Sequence, residues 1–189
     1  MKHENDRAFK EWAVACDAMR DGRQILLIRK GGIREEGGVF TMSDREFFLL
    51  PTFEHQNAAL LQDNMLPRLE ARRNAPDLAR VEIDAYSVVD TILTAREEAQ
   101  VNAVSHETVW NAEYVRQRFD FNPYDPLYLV VLRTYRLPNL VTLALLPEYV
   151  GCRSWVTLEC PLSTEGAVPA IPDAEFLARR DRLLAALEG

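Results

Sequence analysis

Apolar residues recur at two different spacings along this chain, and the changes of spacing divide it into elements. Phe9, Trp12, Ala13, Cys16 and Met19 fall three or four apart, the period of a helix that buries one side. Asp6 is placed to cap that helix and Asp21-Gly22 to end it. Residues 24–29 then form an Ile- and Leu-rich run that predicts a buried strand. Two short apolar runs, 39–42 and 46–50, predict a hairpin across Ser43-Asp44-Arg45, with Pro51 stopping its second strand. A helix is expected over 57–73, broken or kinked at Pro67, and Asn74-Ala75-Pro76 reads as a turn.

The second half is more strand-like. Val81, Ile83, Ala85, Ser87 and Val89 alternate with Glu82, Asp84, Tyr86 and Val88, which predicts a long half-exposed strand. A polar helical stretch follows, with Ser105 as its N-cap before Val109, Trp110 and Tyr114, and 121–126 reads as a rigid connection. Residues 127–137 are apolar on both faces, so this strand is expected at the centre of a sheet. Leu137-Pro138-Asn139 predicts a turn into a further strand at 140–146, and 154–159 a short last strand. Asp173 caps a final helix with Phe176, Leu177, Leu183, Leu184 and Leu187 on one side. Six or seven strands in hairpin-like order, with helices at the start, middle and end, predict an α+β fold. Its sheet is expected to be mostly antiparallel and to form a partly closed β-barrel with flanking helices. The expected organisation is one α+β domain over 1–165, followed by a linker and a C-terminal helix over 166–189.

At 189 residues the chain can bury a substantial core. No apolar run approaches the roughly 20 residues of a membrane span, and the charged start of the chain lacks the apolar core of a secretory signal. These features place the protein in the cytoplasm, with no membrane partner. Cys16, Cys152 and Cys160 are odd in number and scattered, without zinc-ligand spacing, so neither a disulfide framework nor a metal is expected. No cofactor is expected. A net charge of −7 argues against wholesale coating of nucleic acid but allows a local basic groove. Only Lys2, Lys10 and Lys30 of the 22 basic residues are lysines, which singles out Lys30 in its setting.

That setting is a glycine-rich loop. Gly22, Gly31, Gly32, Gly37 and Gly38 are five of the eight glycines, and between them lie Arg29, Lys30, Arg34, Glu35 and Glu36. Two cations next to Gly31 and Gly32 can hold a phosphate or carboxylate, because glycine lets backbone N–H groups approach a ligand. Glu54-His55-Gln56 is a compact polar trio after a strand, in which a carboxylate can orient a histidine. Arg133 on the apolar central strand needs a partner or an opening to solvent, and convergence with the glycine loop would supply one. Cys152-Arg153-Ser154-Trp155 can bring a further polar group to the same rim, and Trp110, Tyr128, Tyr135 and Trp155 are aromatics able to stack on a base.

KEWAVACDAM, ILLIRKGGIREEGG, LLPTFEHQ, LRTYRLP and GCRSWVTL, in that order, resemble a bacterial family known as domain of unknown function 1802. That resemblance implies no activity. The order of Trp12–Arg20, Gly22, the strand ending at Lys30, and the later strand–helix–strand is similar to the PUA-like superfamily, in particular its ASCH and EVE branches. This second resemblance implies a small barrel whose cleft accepts RNA, DNA or a modified nucleotide. The chain departs from the ASCH pattern G-x-K-x-x-E-x-R, having Gly22-Arg23-Gln24.

The function expected is nucleic-acid or nucleotide-type ligand binding through the charged glycine loop. One alternative is a metal-dependent phosphodiesterase. No acidic residue stands two before a lysine, as a restriction-type nuclease site requires, but Glu11, Asp44 and Glu46 can supply a migrated version. A protein-interaction module without a small-molecule site is the other alternative.

Overall fold

The computed structural model describes residues 1–30, 35–36, 39–40, 42, 44–73, 79–121, 123–151 and 153–188. A mixed seven-stranded sheet runs through it. The strands are β1 (Glu4–Trp12), β2 (Leu26–Arg29), β5 (Glu46–Thr52), β6 (Arg80–Ala95), β7 (Leu127–Ala144), β8 (Trp155–Ser163) and β9 (Val168–Pro169). Their order is β2-β7-β6-β5-β1-β8, with β9 added on β7. Two short strands, β3 (Glu35–Glu36) and β4 (Val39–Phe40), pair with each other. The helices are α1 (Ala13–Arg20), α2 (Leu66–Arg73), α3 (Glu98–Ala103), α4 (Ala112–Asp120) and α5 (Asp173–Glu188). None of them is long and apolar enough to cross a membrane, among the described residues.

Both faces of the sheet are buried, which explains why the central strands read as continuous apolar runs. In β5, Phe47 and Leu49 enter one core while Phe48 and Leu50 enter a second. β1 divides in the same way, with Phe9 in the first core and Ala8 in the second. The first core takes Val14, Ala15, Cys16, Ala18 and Met19 of α1, the buried half of β7, and Phe176 and Leu183 from α5.

The α+β class and the prevalence of antiparallel pairing agree with the reading of the sequence. The sheet is mixed, however, because β1 and β5 run parallel, and it is open. β2 and β8 are its edges, and no ladder joins them among the described residues. What bridges these edges is a side-chain hydrogen bond, from Arg29 Nη2 to Ser154 Oγ at 2.6 Å.

Several local expectations are corrected. The apolar stripe from Phe9 to Met19 belongs to two elements, so Asp6 lies inside a strand and caps nothing. β1 pairs with β5 on one side and β8 on the other, and this pairing overrides the helical period of its side chains. The expected 39–42/46–50 hairpin does not form, since β4 pairs with β3 and β5 pairs with β1 and β6. β5 also runs through Pro51. Its pairing with β6 covers only Glu46–Phe48, so Pro51 has a ladder partner on one side alone. Residues 57–73 form two 3₁₀ turns and then α2, where Pro67 occupies the first helical turn and kinks nothing. Asn111, not Ser105, caps the helix carrying Tyr114, accepting from the Tyr114 N–H at 3.1 Å.

The predicted turn at Pro138 is absent, and β7 is one 18-residue strand. Ala85 pairs with Arg136 and Ile83 with Val141, so the segment around Pro138 is accommodated as a bulge against one residue of β6. A bulge is where a strand tolerates a proline that cannot donate to the ladder.

Candidate functional site

A cleft of about 420 Å³ opens where the end of β1, the end of β2, the turn after β5, α4 and the loop before β8 meet. Lys10, Glu11 and Trp12 come from β1, Ile28, Arg29 and Lys30 from β2 and the residue after it. Thr52, Glu54 and His55 come from the end of β5 and its turn, Arg118 from α4, and Gly151, Arg153 and Ser154 from the last loop. Five cations face two carboxylates in this space, although the whole chain carries −7.

Each charge is positioned by identifiable contacts. Arg29 lies over the Phe9 ring at 4.9 Å, with Nη1 3.6 Å from Glu11 Oε2. The other Glu11 oxygen accepts from the Trp12 N–H at 2.8 Å. The buried Lys10 ammonium donates to the Tyr149 carbonyl at 3.0 Å and to that of Gly151, with Glu54 3.9 Å away. Lys30 donates to the Asp125 carbonyl at 2.6 Å and the Phe119 carbonyl at 3.5 Å, its ammonium 5.3 Å from the centre of the Phe119 ring. Burial pulls the Lys30 pKa below its ordinary value, and the Asp125 charge opposes that only in part.

Behind the cleft, Trp12 meets Trp110 edge-on at 4.8 Å, and Trp110 stacks on Tyr114 at 4.2 Å. Burial pushes the Tyr114 hydroxyl pKa up, against a hydrogen bond from Arg118, whose guanidinium lies over the Tyr114 ring at 4.8 Å. Arg153 is exposed and forms no ion pair among the described residues. His55 has φ +61°, the one positive value for a non-glycine residue among the described residues. Such a conformation costs roughly 1–3 kcal/mol and is held at the cleft rim by the surrounding turn.

Of the residues singled out from sequence, Arg29, Lys30, Glu54, His55 and Ser154 are brought together here. Gln56 is not among the lining residues; its Oε1 accepts from the Val14 N–H at 3.2 Å and satisfies the start of α1. Trp155 packs edge-on against Phe9 at 5.0 Å and Phe47 at 5.2 Å as a core aromatic. Arg133 is also elsewhere, ion-paired with Asp173 and lying 4.9 Å from the Phe176 ring centre. The strand around Arg133 does adjoin the 23–56 region, since β2 pairs with β7 from Leu26–Val131 to Arg29–Tyr128, while the Arg133 side chain takes its partner from α5. Gly31, Gly32 and Arg34 lie outside the described residues, and Glu35 and Glu36 are described only as backbone in β3.

Sequence reasoning missed Lys10, Trp12 and Arg118, whereas Arg153 belongs to the 152–155 segment expected at the rim. Lysine scarcity marks Lys10 as much as Lys30, and it was the available signal. Trp12 falls on the apparent helical stripe, which hides it as a site residue. No group of three His, Cys, Asp or Glu side chains among the described residues is arranged to hold a metal ion.

The model of a family described as Domain of unknown function (DUF1802) matches residues 8–182. No curated protein matches the chain. Among solved structures it is similar to the crystal structure of ASCH from Zymomonas mobilis, with 9% identity, a TM-score of 0.47 and 94% of each chain covered. Crystal structures of two mutant forms of that protein give 8% and 10% identity and TM-scores of 0.46. They cover 84% and 81% of this chain and 92% and 89% of theirs.

Proposed function

The chain belongs to the family of domain of unknown function 1802. From the geometry of its own cleft we propose that it binds a nucleic-acid or nucleotide-type ligand through phosphate. The observation that carries this reading is the gathering of Lys10, Arg29, Lys30, Arg118 and Arg153 around one 420 Å³ cleft in an acidic protein. That volume lies within the roughly 300–1,000 Å³ of small-ligand sites. Surface charge left to chance in a chain of −7 would not gather five cations against two carboxylates.

The roles divide by exposure. Arg153 is exposed and unpaired among the described residues, and it makes the first contact with a phosphate. Arg29 and Lys10 are held by Ser154, Glu11 and backbone carbonyls, so their charges are fixed before a ligand arrives. Trp12, half-buried against Trp110, offers a ring on which a base can stack. Glu11 and Glu54 supply acceptors for base or sugar donors. The metal-dependent phosphodiesterase reading gains no comparable support, because the described residues present no carboxylate cluster for the ion.

The test is amide chemical-shift mapping with short single- and double-stranded RNA and DNA. Ligand-induced shifts should gather at residues 10–12, 29–30, 54–55, 118 and 151–154. Shifts confined to the opposite side of the sheet would overturn the assignment.

A further inference from the structure

The segment that leaves α4 for β7 carries two aromatic side chains in solvent, Phe121 at 72% and Tyr124 at 93% exposure. Large rings are seldom left this open, and a pair within four residues of each other calls for an explanation. Their position supplies it. Lys30, a cleft residue, donates to the carbonyls of Phe119 and Asp125, and so holds this segment at both ends against the cleft rim. Tyr124 precedes one of those anchor residues directly, and Phe121 lies two past the other. Arg118, one turn before, lines the cleft itself. Pro123 and Pro126 stiffen the segment, so little conformational entropy remains to be lost when a ligand settles on it.

A cationic cleft that continues into exposed rings matches one ligand chemistry: a charged backbone with unstacked bases. A duplex hides its base faces, and a mononucleotide is too short to use the cleft and both rings. Resting on the phosphate-binding reading above, we infer that the ligand is single-stranded nucleic acid several nucleotides long. Its backbone lies along the cleft while Phe121 and Tyr124 stack on bases beyond the rim.

The experiment measures fluorescence anisotropy with a 5′-fluorescein single-stranded hexanucleotide, its duplex form, and the unlabelled mononucleotide as competitor. Wild type is compared with Phe121→Ala/Tyr124→Ala, both at exposed positions where substitution leaves the fold intact, as a circular dichroism melt verifies. The double variant should lose about thirty-fold or more in affinity for the single strand, while the slope of log affinity on log salt stays the same. Wild type should prefer the single strand to the duplex. Equal affinity of wild type and variant, or preference for the duplex, would overturn the stacking arm and leave phosphate binding by the cleft in place. Absence of salt-dependent binding by the wild type to any of the three would overturn both.

Discussion

Replacing Arg179 with alanine should cost this protein a large part of its stability. Arg179 in α5 reaches Glu107, whose carboxylate is 4% exposed, with Nε 2.8 Å from Oε2 and 3.1 Å from Oε1 and Nη2 closing the fork. Its remaining donors go to the carbonyls of Gly22 and Arg23, where α1 gives way to β2. The guanidinium is itself only 11% exposed. Truncation leaves a buried carboxylate without its fork, a change worth about 3–5 kcal/mol. Against a total stability of roughly 5–15 kcal/mol, that is a large fraction. In a chain of this size it corresponds to a drop in Tm of about 6–20 °C. Urea denaturation followed by tryptophan fluorescence and far-UV circular dichroism measures it, and the m-value should stay unchanged. The apolar pair Glu107→Leu/Arg179→Met should recover most of the loss, because desolvation of both charges disappears with them. A loss below about 1 kcal/mol for Arg179→Ala would refute this reasoning, showing that water reaches Glu107 freely.

Two further outcomes follow from the same region. Gly22 has φ +72°, and a Cβ there would lie 2.2 Å from Ile171 Cγ2, so Gly22→Ala should destabilise by about 1–3 kcal/mol or more in the same assay. A neutral result would show that the 170–171 segment moves aside at no cost. Burial pushes the Asp21 carboxyl pKa up, but hydrogen bonds from Arg68 and Arg20 outweigh it and hold the group below its ordinary value. Because the folded-state pKa is depressed, this contribution is present above the unfolded value of about 3.9 and disappears as pH falls through the folded one. Asp21→Asn should therefore flatten the acid limb of the stability curve, and an unchanged limb would remove Asp21 as a contributor.

Much of this architecture was legible because pattern and environment agree. β6 and the first half of β7 read as strands since both their alternation and their apolar runs are satisfied by burial in the sheet. Helix α5 was legible from its leucines and Asp173. β1 carries a helical period in its sequence, but pairing with β5 and β8 decides its conformation, and strand pairing is nonlocal. Pro51 reads as a strand stop and Pro138 as part of a turn, whereas one lies where its strand has a partner on one side only and the other in a bulge. The site was half visible. Local chemistry points to Arg29, Lys30, Glu54, His55 and the segment of Arg153 and Ser154, but Lys10 and Arg118 are separated in sequence and meet these residues only in the fold. Arg133 drew attention as a charge on an apolar strand, and its answer was Asp173, forty residues away.

The central claim is that the cleft binds phosphate-bearing ligand through its cations, and Arg153→Ala tests it most directly. Arg153 is exposed and makes no ion pair among the described residues, so its loss should change stability by less than about 0.5 kcal/mol. The measurement is affinity for a short single-stranded oligonucleotide at several salt concentrations. The account predicts that the variant binds more weakly, with a log–log salt slope shallower by about one unit than wild type. Equal affinity and equal slope for the two proteins would contradict it.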